Sequence, residues 1–267
     1  MTAAAFAAAL VALGLLLHFE LSLFTPLPRR ALRVLMYHRV TEGKGERYAV
    51  PAPVLRRQLA WLSRRGHRLV SLGELVRAVE GGPALPDRAV LLTFDDGTVD
   101  ALEVLRPLLL EGGARGAVFA VPGWAGTEQE LGGRRCRILD AAGLRALAPA
   151  LEVALHGHAH RDLGKLSPAE VEEELRLAKA WLAREGVPAL HALAFPYGAY
   201  PRKDPSRRAE FLEAVRRAGV RVAFRIGNRV NPLPLRSPLE IRRTEIRGDE
   251  PFWVFAWKVR TGRRRAL

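Results

Sequence analysis

Residues 89–97 read Ala89-Val90-Leu91-Leu92-Thr93-Phe94-Asp95-Asp96-Gly97. An apolar run carrying one threonine leads without a break into two adjacent carboxylates and a glycine. A continuous run of this kind suits a strand buried on both faces, as in a parallel sheet covered by helices. In parallel α/β folds the C-terminal strand ends carry the reactive groups. Two carboxylates at that depth repel each other and are costly to desolvate unless a cation lies between or beside them. Successive strand residues point to opposite sides, so Asp95 and Asp96 are set for two tasks rather than one. Asp-Gly is also a common turn dipeptide, and this segment alone does not choose between a site and a turn.

The chain on either side repeats the theme. Short apolar runs predict strands over 32–37, 68–72, 89–94, 117–121, 151–155, 192–195 and 221–226. Amphipathic stretches predict helices over 54–65, 72–80, 99–111, 141–147, 168–184, 207–218 and 250–259. The clearest start is Ser167-Pro168-Ala169-Glu170, where Ser167 caps, Pro168 suits the first turn and Glu170 closes a capping box. Gly186 and Pro188 then end that helix. About seven strand–helix units without an obvious linker favour a closed or nearly closed α/β barrel over an open sheet. No G-x-G-x-x-G or P-loop pattern is present, so a dinucleotide or nucleotide-phosphate site has no support.

Three more strand ends carry chemistry. Leu151-Glu-Val-Ala-Leu-His156-Gly-His158-Ala-His160 places three of the seven histidines within five residues. His156 and His160, four apart, share a face if the chain turns helical, whereas an extended chain would align all three. Two imidazoles with one carboxylate make a set that leaves coordination positions open, as in a catalytic divalent-metal site. In Leu193-Ala-Phe195-Pro196-Tyr197-Gly198, the proline and glycine shape the backbone; the segment would present the Tyr197 N–H toward the same mouth, or is simply a strand-to-loop corner. His38 closes the first strand.

Composition bounds the rest. The 267 residues are 49% hydrophobic, which excludes a disordered chain, and the one cysteine, Cys136, excludes a disulfide scaffold. The net charge of +14 invites a polyanion reading. No RNP, helix-turn-helix or zinc-finger pattern accompanies it, and no nucleic acid partner is expected. Residues 1–17 contain no charged side chain, and the apolar stretch runs on to Phe24. This suits an N-terminal hydrophobic helix at 1–28 that anchors the chain in the cell membrane; neither the charged leader nor the cleavage pattern of a signal peptide is evident. Arg29, Arg30 and Arg33 follow it, and the positive-inside rule would keep that side cytoplasmic.

The four segments, taken in order, resemble the polysaccharide deacetylase family of carbohydrate esterases with a NodB-homology domain. The motifs are Thr93-Phe94-Asp95-Asp96-Gly97, His156-x-x-x-His160 and Phe195-Pro196-Tyr197-Gly198. Met36-Tyr37-His38-Arg39 and the run from Arg242 to Asp249 are similar to the branch that includes the poly-N-acetylglucosamine deacetylases. The resemblance implies a distorted (β/α)7 barrel over 32–262. It implies a divalent metal, usually zinc, on Asp96, His156 and His160, with Asp95 as general base and the Tyr197 N–H holding the oxyanion. It also implies an N-acetylated polysaccharide as substrate and hydrolysis of its amide; an O-acetyl glycan esterase and a weakened glycan-binding homologue are the alternatives. Two departures stand out. Many members draw a general acid from a C-terminal Leu-x-His motif, but no histidine follows His191 here. The arginine that often precedes the Pro-Tyr segment is replaced by Leu193-Ala194. His38 is therefore expected to act as the acid and Arg243 to orient Asp95, with no ligand role for His158. Family substrates lie outside the cytoplasmic membrane, so the barrel is expected to face outward despite the arginines after the anchor.

Overall fold

A computed structural model describes residues 3–21 and 30–262, without side chains at 3, 9 and 16–21. Seven parallel strands form a closed ring: β1 (Ala31–Tyr37), β2 (Ala89–Asp96), β3 (Gly116–Ala120), β4 (Leu151–Leu155), β5 (Ala189–Ala194), β6 (Val222–Ile226) and β7 (Ile241–Glu245). β1 closes the ring by pairing with β2 on one side (Val34 opposite Leu91) and with β7 on the other (Val34 opposite Arg243). All eight residues of β2 are buried, as its unbroken apolar run requires.

Alternation along the strands divides the apolar residues into two cores. Val34, Leu91, Phe119, Ala154, Ala194 and Phe224 belong to the cluster that fills the barrel. Leu35, Leu92, Val118, Val153 and Leu193 belong to the layer beneath the helices. Phe119 and Phe224 meet edge to face with centroids 5.4 Å apart. Above them the interior turns ionic, with Asp95, His156 and Arg243 all buried.

α1 (Ala3–Leu21) precedes the barrel, and the outer layer includes α2 (Ala52–Arg64), α3 (Leu72–Val79), α4 (Arg106–Glu111), α5 (Ala141–Ala146), α6 (Pro168–Arg184), α7 (Pro205–Arg217) and α8 (Phe252–Thr261). α6 begins and ends where its capping signals put it, and both halves of the Ser167–Glu170 box are formed.

Three expectations need correction. The stretch 68–72 is not a ring strand: Arg68–Leu69 pairs only with the start of β2, and Ser71 caps α3 with its own capping box. The seventh ring strand is instead β7, whose Ile-Arg-Arg-Thr-Glu sequence lacks an apolar run. The helix expected over 99–111 begins as a π-turn, Ala101–Leu105, before α4. Pro107 has no N–H for the i−4 bond, and the Arg106 N–H reaches back five residues to the Ala101 carbonyl.

At the N-terminus, Phe6, Leu10, Val11, Leu13 and Leu15 of α1 are exposed. Among the described residues no helix is long and apolar enough to cross a membrane, so the expected span is not met there. Part of the segment 1–28 lies outside the described residues.

The capping box gives a clean stability test. Ser167→Ala removes the acceptor for the Glu170 N–H and is expected to lower stability by about 1 kcal/mol. The check is the shift in urea midpoint at unchanged slope.

Candidate active site

The C-terminal ends of β1, β2, β4 and β7 and the loop after β5 open into one cavity of about 490 Å³, lined by His38, Asp95, Asp96, His156, His160, Tyr197 and Arg243. Every residue singled out for catalysis or metal binding therefore meets at one mouth.

Asp95 and Arg243 form its base. The guanidinium donates two parallel hydrogen bonds, Nη1 to Oδ1 at 2.6 Å and Nη2 to Oδ2 at 2.8 Å. Both side chains are almost fully buried. Burial alone would push the Asp95 carboxyl up, but Arg243 outweighs it and holds the group at about 2, with His156 adding to the effect. Asp95 is thus ionised across the neutral range.

Asp96, His156 and His160 bring one ligand atom each to within 4.8 Å of one another. His156 Nε2 lies 3.8 Å from Asp96 Oδ1 and 3.8 Å from Asp95 Oδ2, and His160 Nε2 lies 3.5 Å from Asp96 Oδ1. The far nitrogens have partners of their own. His156 Nδ1 is 2.8 Å from the Ala194 carbonyl, which fixes the tautomer with its proton on Nδ1 and leaves Nε2 free as a donor to a metal. His160 Nδ1 is 3.2 Å from the Tyr197 hydroxyl.

The electrostatics agree with this donor set. Burial holds His156 down at about 4, and burial with the neighbouring His156 holds His160 at about 3, so both imidazoles are neutral. Burial and the Asp95 charge push Asp96 up to about 7. A carboxylate that is costly to ionise alone, facing two neutral imidazoles, fits a divalent cation that supplies the missing positive charge. The residues present therefore fit the metal that the resemblance implies.

The remaining expectations fall around this centre. His38 packs edge-on to Tyr48 with centroids 4.9 Å apart. Burial lowers its affinity for a proton, while the charge of Asp95 raises it and Arg243 lowers it. Tyr197 adopts φ of +58°, and its side chain is exposed at the rim. The ring of His158 is not one of the clustered ligands. Its main chain is used instead, since its carbonyl accepts the Gly123 N–H at 2.8 Å.

Sequence reading passed over several wall residues. Trp124 lies 4.6 Å from His160 centroid to centroid, with Tyr197 on the same imidazole at 4.7 Å. A hairpin, Glu128–Leu131 paired with Arg134–Arg137, forms one side of the cavity. Its signal was present: Gly132-Gly133, both at positive φ, is a two-residue hairpin turn. A Cβ on Gly132 would lie 2.4 Å from the Tyr48 ring, so the glycine lets the hairpin tip rest on the wall opposite. Glu174, which holds the histidine loop from beneath, had no sequence signal beyond its place on α6.

Comparison with known proteins follows the same line. The family model for polysaccharide deacetylase matches residues 82–223, just over half of the chain. The chain belongs to the polysaccharide deacetylase family. The stretch that the chain shares with the first of its curated relatives is a small part of their length. Over 74 residues it is 39% identical to the poly-beta-1,6-N-acetyl-D-glucosamine N-deacetylase of Escherichia coli K12, a match covering 27% of this chain and 11% of that relative. Its fold is similar to that of IcaB from Ammonifex degensii, with a TM-score of 0.70 and 22% identity over 89% of this chain and all of that one. The Streptococcus pyogenes deacetylase PplD gives a TM-score of 0.66 at 21% identity, over 83% of this chain and 94% of that one.

The Asp95–Arg243 pair makes a prediction about stability. Arg243→Met leaves a buried carboxylate without its partner and is expected to cost about 3–5 kcal/mol at neutral pH. In the wild type the lowered Asp95 pKa contributes stability that is present above the unfolded value near 4 and lost as pH falls toward 2. The variant should lack that part of the acid-side loss, measured by urea melts between pH 2 and 7.

Proposed function

We propose that this deacetylase hydrolyses the N-acetyl groups of an N-acetylglucosamine-containing polysaccharide, exopolysaccharide or peptidoglycan. One observation carries the reading: a buried carboxylate held ionised by Arg243 stands beside an Asp96–His156–His160 donor set at the floor of an open cavity. The activity of the E. coli relative favours a β-1,6-linked polymer.

Asp96, His156 and His160 would hold a divalent cation, zinc by family resemblance, which when bound supplies a Lewis acid for the acetyl carbonyl and lowers the pKa of water. Asp95 accepts a proton from water as its oxygen attacks the amide carbon. The Tyr197 N–H, presented by the turn after β5, donates to the oxygen as it becomes negative. His38 gives a proton to the departing amine nitrogen, so the C–N bond breaks to a neutral amine and acetate. Arg243 keeps Asp95 ionised and aimed, and Tyr197 also supports His160 through its hydroxyl.

Acetate release from β-1,6- and β-1,4-linked N-acetylglucosamine oligomers and from an O-acetylated glycan tests this. The expected result is chelator-sensitive release from an N-acetylated oligomer, restored by zinc. Release from the O-acetylated glycan alone would replace the reading with an esterase. His38→Ala is expected to lower kcat about 10²–10⁴-fold. Burial holds His38 below the ordinary imidazole value near 6.5, so its acid form is lost as pH rises through the weakly acidic range; the wild-type rate should decline there and the variant should lack that limb. A variant with the wild-type rate would remove His38 from the mechanism.

The reading extends to location. The exposed apolar side chains of α1 support attachment of the N-terminal segment 1–28 to the cell membrane, with the catalytic unit 32–262 outside, where such polymers lie. Protease added to intact cells should cleave the barrel, and deletion of residues 1–28 should release it from the membrane fraction; a barrel protected in intact cells and cut only after lysis would reverse the orientation.

A further inference from the structure

The two histidines of the donor set are joined by Gly157, His158 and Ala159, and these three residues fold around a single oxygen atom. That atom is Oε2 of Glu174, on α6. It accepts the His158 N–H at 3.0 Å and the Ala159 N–H at 3.1 Å. A Cβ on Gly157, which sits at φ of +76°, would lie 3.6 Å from the same oxygen. Glu174 is 5% exposed, so water has little access to replace it. Its other oxygen lies 3.8 Å from Nη1 of Arg161, just beyond the loop.

The loop has only a few other supports. The His158 carbonyl accepts from Gly123, the His156 ring is tied to Ala194, and the His160 ring meets the Tyr197 hydroxyl and the Trp124 ring. None of these fixes the main chain that leads from His158 into His160. His160 itself sits at φ of +54°, a conformation that persists in a non-glycine residue only when its surroundings impose it. The two hydrogen bonds to Glu174 lie immediately before that residue and supply the constraint. Without an acceptor there, two part-buried N–H groups would lose their partner, and the loop would rearrange to reach water or another oxygen.

We propose that Glu174 is a positioning residue that sets the separation and aim of His156 and His160, and through them the affinity of the site for a divalent cation. This rests on Asp96, His156 and His160 being the metal ligands. What the position requires is a carbonyl-type oxygen at the reach of a glutamate side chain. Glutamine supplies one, since its amide oxygen accepts the same two hydrogen bonds. Aspartate keeps the charge but stops one methylene short. Alanine offers no acceptor.

The experiment is a zinc titration of the metal-free full chain in competition with a chromophoric chelator. It compares the wild type with Glu174→Gln, Glu174→Asp, Glu174→Ala and Ser167→Ala. Supporting residues around a metal site are typically worth 10–100-fold in affinity. Glu174→Asp and Glu174→Ala are expected to weaken zinc by that factor, and Glu174→Gln by less than about threefold. Ser167→Ala, which weakens the same helix at its exposed start, should leave zinc affinity unchanged. Wild-type affinity in Glu174→Asp would overturn the proposal, as would an equal loss in Ser167→Ala; the aspartate variant decides the matter if the alanine variant fails to fold. A wild-type chain that binds no zinc would overturn the ligand assignment itself, and this proposal with it.

Discussion

The bidentate pair between Asp95 and Arg243 is the interaction on which the rest of the site depends. A charged guanidinium and a carboxylate inside a barrel are tolerated only because each answers the other with two short hydrogen bonds. The pair reaches across β1 from β2 to β7, strands that do not pair with each other, and so ties together both sides of the seam where the ring closes. It also divides labour between the adjacent carboxylates. Asp95 is kept ionised by arginine, whereas Asp96, with no such partner, is raised toward neutrality and is left for a cation.

Around this pair the backbone itself is under constraint. Asp96, His160 and Tyr197 all have φ between +54° and +73°, a region that non-glycine residues enter at a cost of order 1–3 kcal/mol each. All three line the cavity. The rigid ring below and the hydrogen bonds around the histidine loop hold the strained positions in place, so the donor atoms are set before any ligand arrives.

The barrel class and the site residues were legible because apolar strands running into ionisable residues are unusual, and four such strand ends share one mouth. α6 was legible from Ser167 to its end because its capping box and terminal glycine are local signals. β7 was hidden for the opposite reason. Arg242-Arg243-Thr244-Glu245 reads as a solvated segment; the family resemblance singles out Arg243 as a partner for Asp95, but only the fold shows that it lies buried on a ring strand. The stretch 68–72 misled in the other direction: its apolar residues belong partly to a two-residue strand and partly to the capped start of α3. The hydroxyl of Tyr197 and the carboxylate of Glu174 act across 37 and 16 residues of sequence, and no local pattern encodes such contacts.

The span between Asp95 and Arg243 has a consequence for how the protein is made. Their positions differ by 148 residues, and β7 is the last strand of the ring. At a synthesis rate of about 5–20 residues per second, the carboxylate leaves the ribosome roughly 7–30 s before its arginine. Over that interval β1 lacks one of its two ring neighbours and the barrel seam stands open. The nascent chain must wait with an unmatched acidic strand and an exposed β-edge, a state suited to binding by a chaperone. The buried Asp95 carboxylate acquires its partner only when the whole ring has been synthesised.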